Sequence, residues 1–414
     1  MKFIHAADIH LDSPLCGLAR YEGAPVEQMQ SATRRAFTNL VDLACQEQVD
    51  FVLLAGDLYD GDWKDYNTGL FFNQQMSRLR DCGIDAFIVY GNHDAGNVIT
   101  KQLTLPDNVM EFGSRKPETR ILEHSGVAIH GQSFAKKSVT EDLSAAYPNA
   151  IDGFYNIGLL HTALNGREGH ANYAPCHLDD LIAKGYDYWA LGHVHHREVL
   201  HTHPHIVFSG NLQGRHVRET GAKGCTLVSV ENGETQIAHH SVDVLRWEQC
   251  HINVSEISRS DDIIDKVRES VSQLLQDAEG RTLALRFIIE GQTPIHNELH
   301  HHSERWMNEI RAVATDTGFG NVWVEKVKLE TTAPNHIGLQ NDSPLGELLD
   351  TLRTLPQDND IVDTLSSELR HLRNALPVEA RTNGRGIDPE HPDTIRSILN
   401  HVEDMLLARL LANQ

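Results

Sequence analysis

Six short apolar runs recur through the first half of this chain: Lys2–Ala7, Phe51–Gly56, Ala86–Gly91, Val127–Gly131, Ile157–His161 and Tyr186–Gly192. Each is rich in aliphatic and aromatic residues and stops at Gly or at a polar residue, as buried strands do. Between them, Gln28–Gln46 and Asn67–Arg80 carry apolar residues at helical spacing, with Phe37, Leu40, Leu43 and Ala44 as examples. Alternation of this kind predicts an α/β fold, central β-sheets flanked by helices, over 1–245. The end of that region reads as hairpin strands, Ile206–Phe208, Cys225–Val230 and Gln236–Val244, with a turn at Asn232-Gly233.

A second pattern follows over 246–330. His251–Val254, Thr282–Glu290 and Asn321–Leu329 read as strands, and Asp261–Asp277 and Asn297–Thr315 as helices, which gives a small α/β module. The remainder, 331–414, reads as helical. It carries Leu345, Leu348, Leu349, Leu352, Ile361, Leu365, Leu369 and Leu372. A polar loop around Pro377–Pro392 then precedes a last helix with Ile395, Ile398, Leu399, Val402, Leu406 and Leu410. Residues 341–414 hold 13 Asp/Glu against 7 Arg and no Lys, a balance that suits a protein partner better than DNA.

The strand ends concentrate the chemistry. Asp8-x-His10, Gly56-Asp57-Leu58-Tyr59-Asp60, Gly91-Asn92-His93-Asp94, His161 and Gly192-His193-Val194-His195 each fall at or just past the end of a predicted strand. Ligand sites of open α/β sheets gather at the carboxyl ends of strands. Any one motif has a bland reading: Asp-x-His arises by chance, Gly-Asp-x-x-Asp serves as a turn, and a lone histidine after a strand is usually a core residue. Five in succession supply carboxylate, imidazole and carboxamide groups in numbers that suit two divalent metals. Tyr59 and Asp60 are read as supporting that site or as capping a turn.

Composition bounds the setting. The 414 residues allow two or three domains. The six cysteines, Cys16, Cys45, Cys82, Cys176, Cys225 and Cys250, lie far apart with no CxxC pair, so a reduced, cytoplasmic protein without disulfides is expected. The first strand leaves no room for a signal peptide, and no stretch approaches the roughly 20 apolar residues of a membrane helix. A net charge of −22 opposes indiscriminate nucleic-acid binding. A DNA-binding role therefore needs a local basic surface, for which Arg34, Arg35, Lys136, Lys137, Arg167, Arg197, Arg215, Arg218 and Lys223 flank the motifs.

In order and content the five motifs resemble the calcineurin-like metallophosphoesterases, whose fold is a sandwich of central β-sheets flanked by helices. The protein phosphatases of that superfamily carry Gly-Asp-x-Val-Asp-Arg-Gly and Gly-Asn-His-Glu, and the forms here differ. Ser209-Gly210-Asn211-Leu212-Gln213-Gly214-Arg215 instead resembles a segment of SbcD-type DNA repair nucleases, with Ser209 in place of Pro and Asn211 in place of Ser. The Gly-Asn-Leu-Gln-Gly-Arg form resembles the bacterial YhaO branch.

The resemblance implies a ligand set. Asp8, His10 and His195 would hold one metal and Asn92, His161 and His193 the other, with Asp57 bridging. The oxygen and nitrogen donors suit Mn2+ first, with Fe2+, Zn2+ or Mg2+ as alternatives. His93 would face the substrate phosphate with Asp94 orienting its ring, and Asn211 and Arg215 would contact substrate. The implied activity is a 3′→5′ DNA exonuclease with endonuclease capacity. The implied architecture is a capping domain over 246–330 and a C-terminal segment that docks an SMC-like ABC ATPase. A homodimer through Asn67–Arg80 is a further expectation. Two other readings use the same residues: a phosphodiesterase on cyclic or small nucleotides, and a non-catalytic scaffold of an ATPase complex.

Overall fold

A computed structural model describes residues 1–13, 26–60, 66–95, 104–165 and 173–334, then 348, 351–352, 354–369, 392–396, 399 and 402. The chain divides into two compact units. The first comprises Met1–Gln249, Gln273–Arg286 and Gly318–Glu325; the second comprises Cys250–Ser272, Phe287–Thr317 and Lys326–Gln414.

Two six-stranded sheets build the first unit. In one, β1 (Lys2–Ala6), β2 (Phe51–Ala55), β3 (Asp85–Val89) and β4 (Val109–Glu111) run parallel, and β11 (Gly224–Glu231) and β12 (Glu234–Ser241) continue antiparallel beyond β1. The other has the order β5 (Glu118–Leu122), β6 (Val127–Gly131), β7 (Tyr155–His161), β8 (Tyr188–Gly192), β10 (His205–Phe208), β9 (Glu198–Thr202), parallel from β6 through β10. Phe3, Phe51, Leu53 and Phe87 meet Ile157, Leu159, Tyr188 and Val207 in one core between the sheets. On the outer face of the first sheet, Ile4, Val52, Leu54 and Ile88 pack with Phe37, Leu40 and Val41 of α1 (Val26–Glu47) and Phe72, Met76 and Leu79 of α2 (Tyr66–Asp81). Alternate residues of β2 thus enter opposite cores. That is why the segment reads as one unbroken apolar run rather than as an alternating one.

The expected α/β sandwich is therefore present, and its six predicted strands fall within two residues of β1, β2, β3, β6, β7 and β8. The strands β4, β5 and β9 were not anticipated. They are short, partly exposed and polar, with Glu118, Arg120 and His201 among their residues. An edge strand buries too little for its pattern to stand out.

One expectation is overturned. Cys45 and Cys82 are joined by a disulfide between positions 37 residues apart, with Cα atoms 5.8 Å apart. Helices α1 and α2 each connect parallel strands and so run side by side in the same direction, and the approach of their C-terminal ends is a tertiary event that cysteine spacing could not reveal. Cys176, Cys225 and Cys250 are buried and in no disulfide.

Beyond β12, β13 (Leu245–Asn253), β14 (Thr282–Gln292) and β15 (Val322–Thr332) form a three-stranded sheet. Helix α4 (Asp261–Asp277) buries Ile263, Val267 and Val271. The helix read over Asn297–Thr315 is two, α5 (His296–His301) and α6 (Ser303–Gly318), because His302 leaves helical geometry. Near the C-terminus, Asn359–Glu368 is a helix capped by the Asp358 side chain. Arg396 reaches back to Asn359 Oδ1 at 2.9 Å, and Val362 and Ile395 are buried. The expectations for Leu345, Leu349, Leu372, the loop within 377–391, Ile398, Leu406 and Leu410 lie outside the described residues. Among the described residues, no helix is long and apolar enough to cross a membrane.

Candidate metal centre

The parallel strands deliver their polar residues to one end of the two sheets. Asp8 follows β1, Asp57 follows β2, Asn92 follows β3, His161 closes β7 and His193 follows β8. Backbone hydrogen bonds lace these loops together, with Asp8 N donating to Gly56 O and His10 N to Asp57 O, both at 3.0 Å. Asp8, His10, Asp57 and His193 all adopt positive φ, at 51°, 46°, 51° and 104°. Such conformations cost about 1–3 kcal/mol each and persist where function holds them. Gly91 permits a close approach: a Cβ there would lie 2.3 Å from Asp57 Oδ1 and 2.8 Å from the His161 ring.

Three groups of donors result. Asp8, His10 and His195 form one and Asp57, His161 and His193 another, and these two hold the expected ligands; the third, His10, Asp60 and His93, shares His10 with the first, and within each group the ligand atoms lie within 4.8 Å of one another. Asp57 Oδ2 faces the first two, 3.9 Å from His10 Nε2 and 3.5 Å from His161 Nε2. Asn92 Oδ1 stands 3.0 Å from His161 Nε2. The structure thus brings together all seven residues singled out as metal ligands.

Proton placement decides what this pocket can hold. His161 Nδ1 lies 2.9 Å from Ala55 O, which only accepts, and its Nε2 points at the oxygens of Asn92 and Asp57. Likewise His195 Nδ1 donates to Glu219 Oε1 at 2.7 Å, and its Nε2 faces His10 Nε2 at 3.2 Å. Burial, then the charges of Arg215, His195 and His93, hold the His10 ring well below the usual histidine range, and its buried Nδ1 has no hydrogen-bond partner. Asp8 is buried and accepts His193 N–H on both oxygens, at 3.1 and 3.0 Å; burial raises its pKa. Buried carboxylates and imidazoles aimed at common points fit divalent cations, and the absence of thiolate matches the donor preference of Mn2+, Fe2+, Zn2+ or Mg2+.

His93 is the open member, with 39% of its side chain exposed. Its Nδ1 lies 2.8 Å from Asp60 Oδ1, and this bond raises the His93 pKa above the usual histidine value. Against the upward push of burial, hydrogen bonds from His93 and Ser13 and the charge of Arg215 bring Asp60 down to about 2.

The ring partner of His93 is therefore Asp60, which corrects the expectation for Asp94. Asp94 turns inward and accepts the backbone N–H groups of Leu58 (3.2 Å), Tyr59 (3.0 Å) and Gly91 (2.9 Å), and burial raises it to about 7. It staples two motif loops. The sequence signal for Asp60 was present as the second carboxylate of Gly-Asp-x-x-Asp, but adjacency favoured Asp94.

Asn211 is also corrected. It is buried, and its Nδ2 donates to Gln213 O at 2.9 Å and Glu219 Oε2 at 3.1 Å, so it braces the loop rather than facing a ligand. Arg215 does reach the centre, 3.5 Å from Asp60 and 3.5 Å from Glu219. Glu219 was missed altogether. Of the flanking basic residues, Lys223 is buried with Nζ on His195 O at 3.0 Å, and Arg34 is paired with Asp12 at 2.7 Å. Arg167 lies outside the described residues.

Residues 1–197 match the family described as calcineurin-like phosphoesterase, and residues 247–332 match the middle domain of the metallophosphoesterase YhaO. Over 298 residues the chain is 36% identical to the uncharacterized metallophosphoesterase YhaO of Bacillus subtilis, covering 71% of this chain and 72% of that one. The chain belongs to the calcineurin-like metallophosphoesterases. Weaker similarity links this metallophosphoesterase to the DNA double-strand break repair protein Mre11 of Sulfurisphaera tokodaii, 23% identical over 366 residues, or 84% of this chain and 87% of that one. Mre11 of Sulfolobus acidocaldarius is 24% identical over 316 residues, or 72% and 77%. Family membership makes the chain a hydrolase of a class that uses two metal ions, and the two donor groups described above are where such ions fit.

Proposed function

We propose that this metallophosphoesterase is a two-metal-dependent DNA nuclease, a 3′→5′ exonuclease with endonuclease capacity, that works with an SMC-like ABC ATPase in DNA repair or processing. The carrying observation is that likeness to Mre11 runs through 84% of the chain, well past the phosphoesterase region at 1–197. In this reading Asp8, His10 and His195 hold one ion, and Asn92, His161 and His193 hold the other, with Asp57 shared and Mn2+ the preferred metal. The ions, when bound, neutralise the phosphoryl charge and make water a competent nucleophile near neutral pH.

The chain's own residues supply the rest. His93, open to the solvent and with its pKa raised by the hydrogen bond to Asp60, stands where it can give a proton or positive charge to the leaving 3′-oxygen. Arg215 brings a cation to the same rim, where a DNA phosphate would lie. Residues 246–330 would form the cap that selects DNA ends, 331–414 would dock the ATPase, and a homodimer would pair α2 with its copy.

The test is an Mn2+-supplemented assay of the full chain and His93→Ala on linear DNA, a cyclic dinucleotide and an aryl phosphodiester, with and without an SMC-like ATPase encoded beside it. DNA degradation that requires His93 is expected. Turnover of the small esters alone would replace the nuclease with a nucleotide phosphodiesterase. Silence on every substrate with metals bound would favour a scaffold.

A further inference from the structure

The two donor groups are backed unequally. His161 rests its second ring nitrogen on a backbone carbonyl, Ala55 O, at 2.9 Å. His195 rests its own on a carboxylate, Glu219 Oε1, at 2.7 Å. Glu219 is only 7% exposed. Its Oε2 accepts Arg215 N at 2.7 Å and Asn211 Nδ2 at 3.1 Å, while the Arg215 guanidinium lies 3.5 Å from Oε1. Every side of the carboxylate is therefore held.

A carboxylate is a stronger acceptor than a neutral carbonyl. An imidazole that donates one N–H to a carboxylate is fixed in tautomer and direction, and its other nitrogen becomes a better electron-pair donor to a metal. The same Arg215 also reaches Asp60 Oδ2 at 3.5 Å, so one guanidinium neutralises both the carboxylate behind His195 and the one behind His93. The buried Glu219 carboxylate is thus matched by a guanidinium beside it.

We infer that Glu219 is a positioning residue that sets the affinity of the Asp8–His10–His195 site separately from the Asp57–Asn92–His161–His193 site, so that the two ions bind with unequal strength. The inference rests on the metal-ligand reading given under Proposed function. Glu219→Gln keeps an oxygen that His195 can donate to but removes the charge. Glu219→Asp keeps the charge and withdraws it by one methylene.

The experiment is Mn2+ binding to the chelator-stripped full chain, followed by calorimetry and by the electron paramagnetic resonance of free Mn2+, with a thermal melt of each metal-free variant. The wild type is expected to show two classes of site. His161→Ala, which removes a donor of the other group, should delete the weaker class and so assign them. Glu219→Gln should weaken the tighter class by roughly 10–100-fold and leave the other within a factor of two, with Glu219→Asp recovering part of the loss. Equal weakening of both classes, or no change in either, overturns the assignment to Glu219. If Glu219→Gln melts far below the wild type, Glu219→Asp alone decides: an affinity loss confined to one class supports the inference, and a loss shared by both overturns it. Wild-type protein that binds no Mn2+ would instead remove the metal-site reading itself.

Discussion

The Nε2 atoms of His10 and His195 face each other at 3.2 Å, although the residues are 185 positions apart. With His195 Nδ1 engaged by Glu219, that contact brings together two ring nitrogens beside the buried Asp8 carboxylate, 3.9 Å from His195 Nε2. A cation relieves the arrangement, so stripping metal should loosen the fold.

Chelator-treated protein should melt at lower temperature than protein with Mn2+. Saturation at 100-fold over Kd contributes about 2.7 kcal/mol per site. Asp57→Asn and His193→Ala should lose both the Mn2+-induced shift and hydrolysis. Differential scanning calorimetry with metal analysis checks this; a full shift in Asp57→Asn would remove Asp57 from the site.

Two neighbouring carboxylates should separate by phenotype. His93→Ala should keep both metals and lose turnover by roughly 10²–10⁴-fold, the usual worth of a general acid. Asp60→Asn should follow it in kcat with Mn2+ binding retained, because Asp60 is not among the seven donors and its ring partner is His93. Asp94→Ala should act on stability, since three buried N–H groups lose their acceptor at about 1–3 kcal/mol for each one left unpaired. Urea unfolding beside steady-state kinetics tells them apart, and a stable, inactive Asp94→Ala would restore Asp94 as the ring partner.

Reduction should be felt by the folded state. The Cys45–Cys82 bond closes a loop of 37 residues and should contribute about 2–4 kcal/mol. Dithiothreitol should lower the urea midpoint of the wild type but not that of Cys45→Ser. Thiol titration of denatured protein should also find two more thiols after reduction than before.

Acid should weaken the fold through His5. Burial holds the ring near 3 against a free value of 6.5, with Tyr188 OH at 3.0 Å and Leu191 O at 3.2 Å as its partners. Below 6.5 the unfolded chain takes up a proton that the folded chain refuses. Stability should then fall as pH drops from 6.5 toward 3, by up to about 1.4 kcal/mol per pH unit, with no such dependence above 6.5. Urea unfolding of metal-free protein at pH 7, 6 and 5 should show a shallower fall for His5→Gln; identical slopes would mean that His5 is not the responsible group.

The residue pattern alone specifies the buried strands and the place of the polar motifs. Strands buried on both faces are unbroken apolar runs, and polar residues at their ends are conspicuous against them. The seven donors stand in those motifs, and it was the resemblance to the metallophosphoesterases that singled them out. Which group serves which was not local. Asp60 against His93, Asp94 against three backbone amides, Glu219 behind His195 and Cys45 against Cys82 are all pairings across different loops or helices. Hydrogen bonds and disulfides form by proximity in space, and only the packing of two sheets and two helices brought these atoms within reach of one another.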